Sequence, residues 1–275
     1  MDVVVVGLLD SMTEPSWREG PIDIDGPATT LVAFFEPIGG HGDADAAPLS
    51  QLAAQTVDEA LRGGDLRTEK LGASVVAALS LANEAVLREC KSPRYTACAS
   101  RAMVAVFDRA SLVVAHVGNG AAFLLREESC CLLSRGQTLR RALREGGSGR
   151  WERSPKHAAL SFLGKSPRLT AVVSQVAPRR GDRLLLCSEE LVRRLGMQAI
   201  LAASRGGMDS TQLCETLARQ CATTWADGGG ATVCAAVDFL WEGWPVPALG
   251  DPPPLVVETS AALFVPLDDL GSSEP

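Results

Sequence analysis

A chain of 275 residues with 46% hydrophobic and 21% charged side chains can bury a substantial core, as one large domain or two small ones, and is not globally disordered. Its formal net charge of −7 argues against nucleic acid as the default partner. The eight cysteines contain no Cys-x-x-Cys pair, so neither a zinc ribbon nor a thioredoxin-like motif is indicated; they read as buried free thiols in a reducing cytoplasm.

Val3 to Leu9 reads as a strand. It is too short to span a bilayer and lacks a basic flank, so neither a signal peptide nor a membrane helix is expected. Pro15, Gly20, Pro21 and Gly26 break the next stretch. A second apolar strand, Leu31 to Phe35, then delivers an acid, Glu36, followed by Pro37-Ile38-Gly39-Gly40-His41. From Pro48 the chain turns helical: Leu49, Leu52, Ala53, Thr56, Val57, Ala60 and Leu61 follow a 3.6 period as far as Gly63-Gly64. A second helix is expected from about Thr68 to Cys90, with Leu71, Val75, Leu79, Ala82 and Val86 on one face. Three apolar runs follow, Ala102–Phe107, Leu112–Val117 and Ala122–Leu125, and read as an antiparallel meander. It would turn at Asp108-Arg109 and at Gly118-Asn119-Gly120.

Further strands are expected at Leu169–Val176 and Arg183–Leu186, the latter fed by the turn Gly181-Asp182 and ending in Cys187-Ser188-Glu189-Glu190-Leu191. Ser188 is a good N-cap, and Glu189 and Glu190 fall in the first helical turn, where the dipole favours carboxylates. Helices at about Met197–Ala203 and Ser210–Trp225 precede Gly228-Gly229-Gly230-Ala231-Thr232-Val233, which enters a last strand reaching Phe239. Beyond Leu240 the composition shifts to Trp241, Trp244, Pro245, Pro247 and Pro252-Pro253-Pro254, with one apolar patch at Ala261–Val265. This proline-rich tail either lies across the domain or binds elsewhere.

Glu36-Pro37-Ile38-Gly39-Gly40-His41 and Cys187-Ser188-Glu189-Glu190-Leu191 together resemble two motifs of the bacterial-type metal-dependent protein phosphatases (the PPM or protein phosphatase 2C family), Asp-Gly-x-Gly-Gly-His and Cys-Ser-Asp-Gly-Leu. The resemblance covers about residues 3 to 240, strong in the order of strands, helices and glycines and poor in the acids. It implies a four-layer αββα sandwich of two antiparallel sheets flanked by helix pairs. Residues 1–240 would form the phosphatase-like domain and 241–275 the tail.

The resemblance also assigns roles. Arg18, in Arg18-Glu19-Gly20-Pro21-Ile22-Asp23, stands where the family's phosphate-gripping arginine would be, and Ile22 replaces a metal-binding acid. Glu36 replaces an aspartate that bridges two metals, and Pro37 the glycine whose carbonyl is a ligand. Asn119 stands for an aspartate of an accessory metal and Gly229 for a core ligand. Arg193 lies four residues after Glu189, where bacterial members usually place another acid; that spacing also suits an i,i+4 ion pair between Glu189 and Arg193. Residues 135–156 match a flap beside the active site and carry seven basic residues against two acidic ones, with Arg140, Arg141 and Arg144 central.

Two metal ions about 4 Å apart repel by roughly 16 kcal/mol at an effective dielectric near 20, and ligand charge has to offset that. Glu36 and Glu189 are the only acids at matching core positions, and Glu190 points about 100° around the helix from its neighbour. The expected protein is therefore a pseudophosphatase, a cytoplasmic binding module in serine/threonine phosphorylation signalling. No cofactor is expected, nor any nucleic-acid or membrane partner. Its partner would be a phosphorylated or acidic protein segment, such as a Ser/Thr kinase or its substrate. The alternative is an active phosphatase using Glu36, Pro37 and Glu189 with Mn²⁺ or Mg²⁺.

Overall fold

Successive side chains of the uniformly apolar central strands point to opposite faces, and in this computed structural model the two faces belong to different cores. The structure describes residues 3–8, 29–39, 43–95, 98–127, 129–134, 161–224, 232–240, 242, 244–245 and 257–262. A six-stranded sheet runs in the order β1 (Val3–Leu8), β2 (Thr30–Ile38), β3 (Ala99–Phe107), β4 (Leu112–Val117), β7 (Thr170–Val176), β10 (Val257–Ala262). A four-stranded sheet is ordered β6 (Ser129–Leu132), β5 (Ala121–Arg126), β8 (Arg183–Cys187), β9 (Cys234–Asp238).

Leu31, Ala33 and Phe35 of β2, with Val104 and Val106 of β3, face helices α1 (Asp43–Arg62) and α2 (Leu71–Glu89). The intervening residues Val32, Phe34, Met103, Ala105 and Phe107 face the other sheet, meeting Leu124, Leu184 and Leu186. The far side of the small sheet, through Phe123, Leu185 and Cys187, packs on Leu191, Ile200, Leu213 and Leu217. Those last residues come from α3 (Glu189–Leu195), α4 (Met197–Ser204) and α5 (Ser210–Thr224). The result is the four-layer αββα sandwich that the resemblance and the order of strands and helices imply.

Several expectations are corrected. Helix α1 begins at Asp43, so Pro48 lies inside it rather than at its start. A proline early in a helix forfeits one backbone donor, which the packing of Leu49, Ala53, Val57 and Leu61 outweighs. The three runs after α2 are not one meander: β3 pairs with β4, but β5 pairs with β6 and β8 in the second sheet. Gly118-Asn119-Gly120 is thus a crossing between sheets, not a hairpin turn. β1 pairs parallel to β2. The strand β6 was not legible as such, because its four residues are half-buried to exposed. The tail contributes β10, which pairs antiparallel with β7, after Trp244 packs on Phe239 with ring centroids 4.6 Å apart.

Among the described residues one helix, α2, is long and apolar enough to cross a bilayer. Its face of Leu71, Val75, Ala78, Leu79, Ala82 and Val86 is buried in the core over the large sheet. Asn83 pins its far end, accepting from Gly164 N–H (3.0 Å) and donating to the Ser166 carbonyl (3.0 Å). All eight cysteines are free thiols.

Candidate functional site

At one end of the sandwich the strand termini converge. Phe34 and Met103 point into the space between the sheets, so two residues along each strand Glu36 and Arg101 share that same face. They are directly opposite in the β2–β3 register, a relation that puts Cβ atoms about 5 Å apart. Glu36 is 6% exposed. It lies within β2, not after it, because pairing continues through Pro37↔Ser100 and Ile38↔Ala99.

The small sheet contributes the other half. Cys187 ends β8 and Ser188 caps α3: its backbone is extended (φ −64°, ψ 158°) and its Oγ accepts from Leu191 N–H at 3.2 Å. The same Oγ accepts from Val233 N–H at 3.0 Å, and Ser188 N–H donates to the Val233 carbonyl at 2.9 Å. One hydroxyl therefore ties the start of α3 to the entry of β9. That fixes Glu189, the first residue of α3, at the mouth between the sheets.

Arg101 reaches across this mouth. Its Nη2 lies 3.1 Å from Glu189 Oε2, with the two side chains 25% and 21% exposed. Its stem lies over Gly118, where a Cβ would come within 2.9 Å of Arg101 Cγ; Gly118 has φ +119°, so both space and backbone demand glycine. Gly120 is constrained likewise, since a Cβ there would sit 2.6 Å from Met103 Cε and 3.1 Å from the Cys187 carbonyl oxygen. Asn119, between them, is buried at the crossing. Ser134 holds the other side of this turn, its Oγ accepting from Ala122 N–H and donating to the Gly120 carbonyl.

The structure thus brings Glu36, Pro37, Asn119 and Glu189 to one end and leaves Arg193 out. Arg193 is 51% exposed and pairs with Glu190 at 2.6 Å, while Arg194 reaches the same carboxylate at 2.6 Å. The i,i+4 pair of Glu189 with Arg193 does not form; the i,i+3 and i,i+4 arginines converge on Glu190, and Glu189 takes Arg101. Burial by itself would raise the Glu190 carboxyl, but the hydrogen bonds from Arg193 and Arg194 outweigh it and hold it below the ordinary value. Arg18, Ile22, Arg140, Arg141, Arg144 and Gly229 lie outside the described residues.

Sequence reasoning missed Arg101. The signal was present: it is a charge in the same alternation as Met103, Ala105 and Phe107, on a strand that is otherwise apolar or small. A long cation at an inward position demands a carboxylate partner, and the strand order decides which.

The donor set does not suit a pair of divalent ions. Among the described residues at this end, two carboxylates and one guanidinium leave a single formal negative charge. Among the described residues no group of three or more His, Cys, Asp or Glu side chains is placed to hold a metal ion.

The two-sheet sandwich is the fold of the PPM serine/threonine phosphatases, and solved structures match it. The Mycobacterium tuberculosis serine/threonine phosphatase PstP/Ppp is similar over 77% of this chain and 88% of its own, at 23% identity and a TM-score of 0.61. Stp1 of Staphylococcus aureus matches over 76% and 84%, at 15% identity and 0.64. PppA of Pseudomonas aeruginosa, a regulatory component of T6SS, matches over 78% and 90%, at 17% identity and 0.61. A further structure, the catalytic domain of PstP, holds two manganese ions and matches at 22% identity and a TM-score of 0.58. No protein-family model and no curated protein matches the chain.

Proposed function

We propose that this chain is a pseudophosphatase: a PPM-type domain that binds, rather than hydrolyses, a phosphorylated or acidic protein segment in serine/threonine phosphorylation signalling. The observation that carries the reading is the Arg101–Glu189 pair, a protein cation placed between the sheets and against one of the two acids that a metal site would need. With Ile22, Asn119 and Gly229 at the positions where the resemblance expects acids, ligand charge falls short of what two metal ions demand. Residues 1–240 form the binding domain in this reading, 241–275 a tail, and the protein works in the cytoplasm.

The docking surface is proposed to centre on Arg140, Arg141 and Arg144 in the basic stretch 135–156. Supporting this, the described residues flanking that stretch sit at the same end as Arg101: Ser134 bonds to the Gly120 carbonyl, and Leu163 pairs with Ser100. Guanidinium forks suit phosphate, whereas the cleft floor, with its net negative charge, does not. The partner segment would therefore lie on the rim. Exchanging all three arginines for glutamate is expected to abolish capture of a phosphorylated peptide while leaving the melting temperature nearly unchanged. Capture by the unaltered chain should fall as ionic strength rises from about 50 to about 500 mM; capture indifferent to salt, or surviving the triple exchange, would sink the docking proposal.

The competing reading is an active phosphatase in which Glu36, Pro37 and Glu189 hold Mn²⁺ or Mg²⁺ and Arg18 grips the phosphate. Titration of the purified chain with Mn²⁺, together with an assay on p-nitrophenyl phosphate, separates the two. Ion-dependent hydrolysis that collapses on Glu36→Ala and on Glu189→Ala would establish the enzyme.

A further inference from the structure

The cysteines gather on one side of the small sheet. Cys187 ends β8 directly opposite Cys234 of β9, and Cys214 and Cys221 of α5 pack into the same core. We propose that Cys214 and Cys234 form an oxidation site, a thiol pair that a hydroperoxide closes to a disulfide joining α5 to the edge strand β9.

Contact singles out this pair. The Cys234 thiol donates to the Cys214 carbonyl at 3.9 Å, and the two thiols share a hydrogen bond of their own. Cys221 is too far away. It follows Cys214 by seven residues on one helix, about 10 Å along the axis, whereas a disulfide spans at most about 7 Å between Cα atoms.

The two thiols differ as this chemistry requires. Cys214 is half-buried and within reach of a small oxidant, whereas Cys234 is 4% exposed. The hydrogen bond from Cys234, aided by the backbone at Ala236 and the Arg183 guanidinium, outweighs burial and holds the Cys214 thiol below its ordinary value. The same hydrogen bond, together with burial, raises Cys234. Burial pushes Cys90, Cys130 and Cys187 up as well. Because the thiolate is the nucleophile, Cys214 reacts first. Its sulfur attacks the peroxide, an S–O bond forms, the O–O bond breaks and hydroxide leaves, so that sulfur is oxidised to a sulfenic acid and the peroxide is reduced. The Cys234 sulfur then attacks the sulfenic sulfur; the S–S bond forms, the S–O bond breaks, and the thiol proton leaves with the hydroxide as water.

The test treats the full chain with hydrogen peroxide at neutral pH and counts thiols after denaturation. Two of the eight should disappear and return with dithiothreitol. Trypsin should release residues 206–219 linked to 220–275, and Cys221→Ser should leave that link intact. Cys214→Ser should lose thiols at least about tenfold more slowly than the unaltered chain. Cys234→Ser should stop at a sulfenic acid on Cys214 that dimedone captures. The linked chain should melt no lower than the reduced one. Absence of the link, a link through Cys187 or Cys221, or a linked chain that melts below the reduced one overturns the inference. So does Cys214→Ser oxidising as fast as the unaltered chain with cooperative melting retained. None of these results touches the pseudophosphatase reading, which does not use these thiols.

Discussion

Two of the arginine–carboxylate pairs that join distant parts of this chain, Arg126–Asp182 and Arg101–Glu189, are built differently. Arg126 of β5 is 7% exposed and Asp182 fully buried; Nε and Nη2 each donate at 2.7 Å, one to each carboxylate oxygen. Nη2 also donates to the Ala177 carbonyl, and Asp182 accepts from Arg179 N–H at 2.8 Å. Each charge is thus enclosed by partners that replace water. The Arg101–Glu189 pair has one contact, partial exposure and an unpartnered Nε. The contrast teaches that a buried pair completed on every side belongs to the fold. An incompletely satisfied, partly exposed pair at the strand ends adds little to the fold.

The largest effect comes from breaking the finished pair. Arg126→Ala or Asp182→Ala should each cost about 3–5 kcal/mol of unfolding free energy in a denaturant titration, because the partner is left charged and buried. A loss below about 1 kcal/mol would show that water enters to replace it.

Next comes the frame that positions the loose pair. Gly118→Ala should cost about 1–3 kcal/mol, since alanine meets the Arg101 stem in a backbone conformation it rarely adopts. Ser188→Ala removes the acceptor for two backbone donors, Leu191 and Val233, and should cost about 1–2 kcal/mol. Thermal melts check both.

The loose pair itself should matter less to stability. Arg101→Met should change unfolding free energy by about 1 kcal/mol or less, as for other partly exposed pairs. A loss comparable with that of Arg126→Ala would erase the distinction drawn between the two.

The smallest effect sits at the half-buried Glu190 beside it. Glu190 titrates below its ordinary value in the folded chain, so its contribution is present above the unfolded-state value near 4.5 and is lost as pH falls through the folded value. Glu190→Gln should therefore lower stability by about 0.5 kcal/mol near pH 7, Arg193 being largely solvated. The difference from the unaltered chain should vanish at the acid end of the melt series.

The sequence by itself determined the layers. The uniformly apolar runs Val32–Phe35, Ala102–Phe107 and Leu184–Cys187 announce strands buried on both faces, because successive side chains on a strand point opposite ways. The 3.6 period through Leu71, Val75, Leu79, Ala82 and Val86 marks the buried face of α2, and Ser188 before two acids announces a cap. These are local facts, fixed by a few consecutive residues. The acids Glu36 and Glu189 were legible too, as charges at the ends of apolar strands.

Partners were decided only by the tertiary structure. Gly118-Asn119-Gly120 has the composition of a hairpin, yet packing of Arg101 over Gly118 and of Met103 over Gly120 makes it a crossing between sheets. Short range left Glu189 facing Arg193, one helical turn away; the fold gave Arg193 to Glu190 and brought Arg101 from β3 to Glu189. Spacing on a helix leaves several arginines within reach of several acids at nearly equal energy. Strand register and the contact between sheets break that degeneracy, because they fix which charges share the mouth and which remain in water.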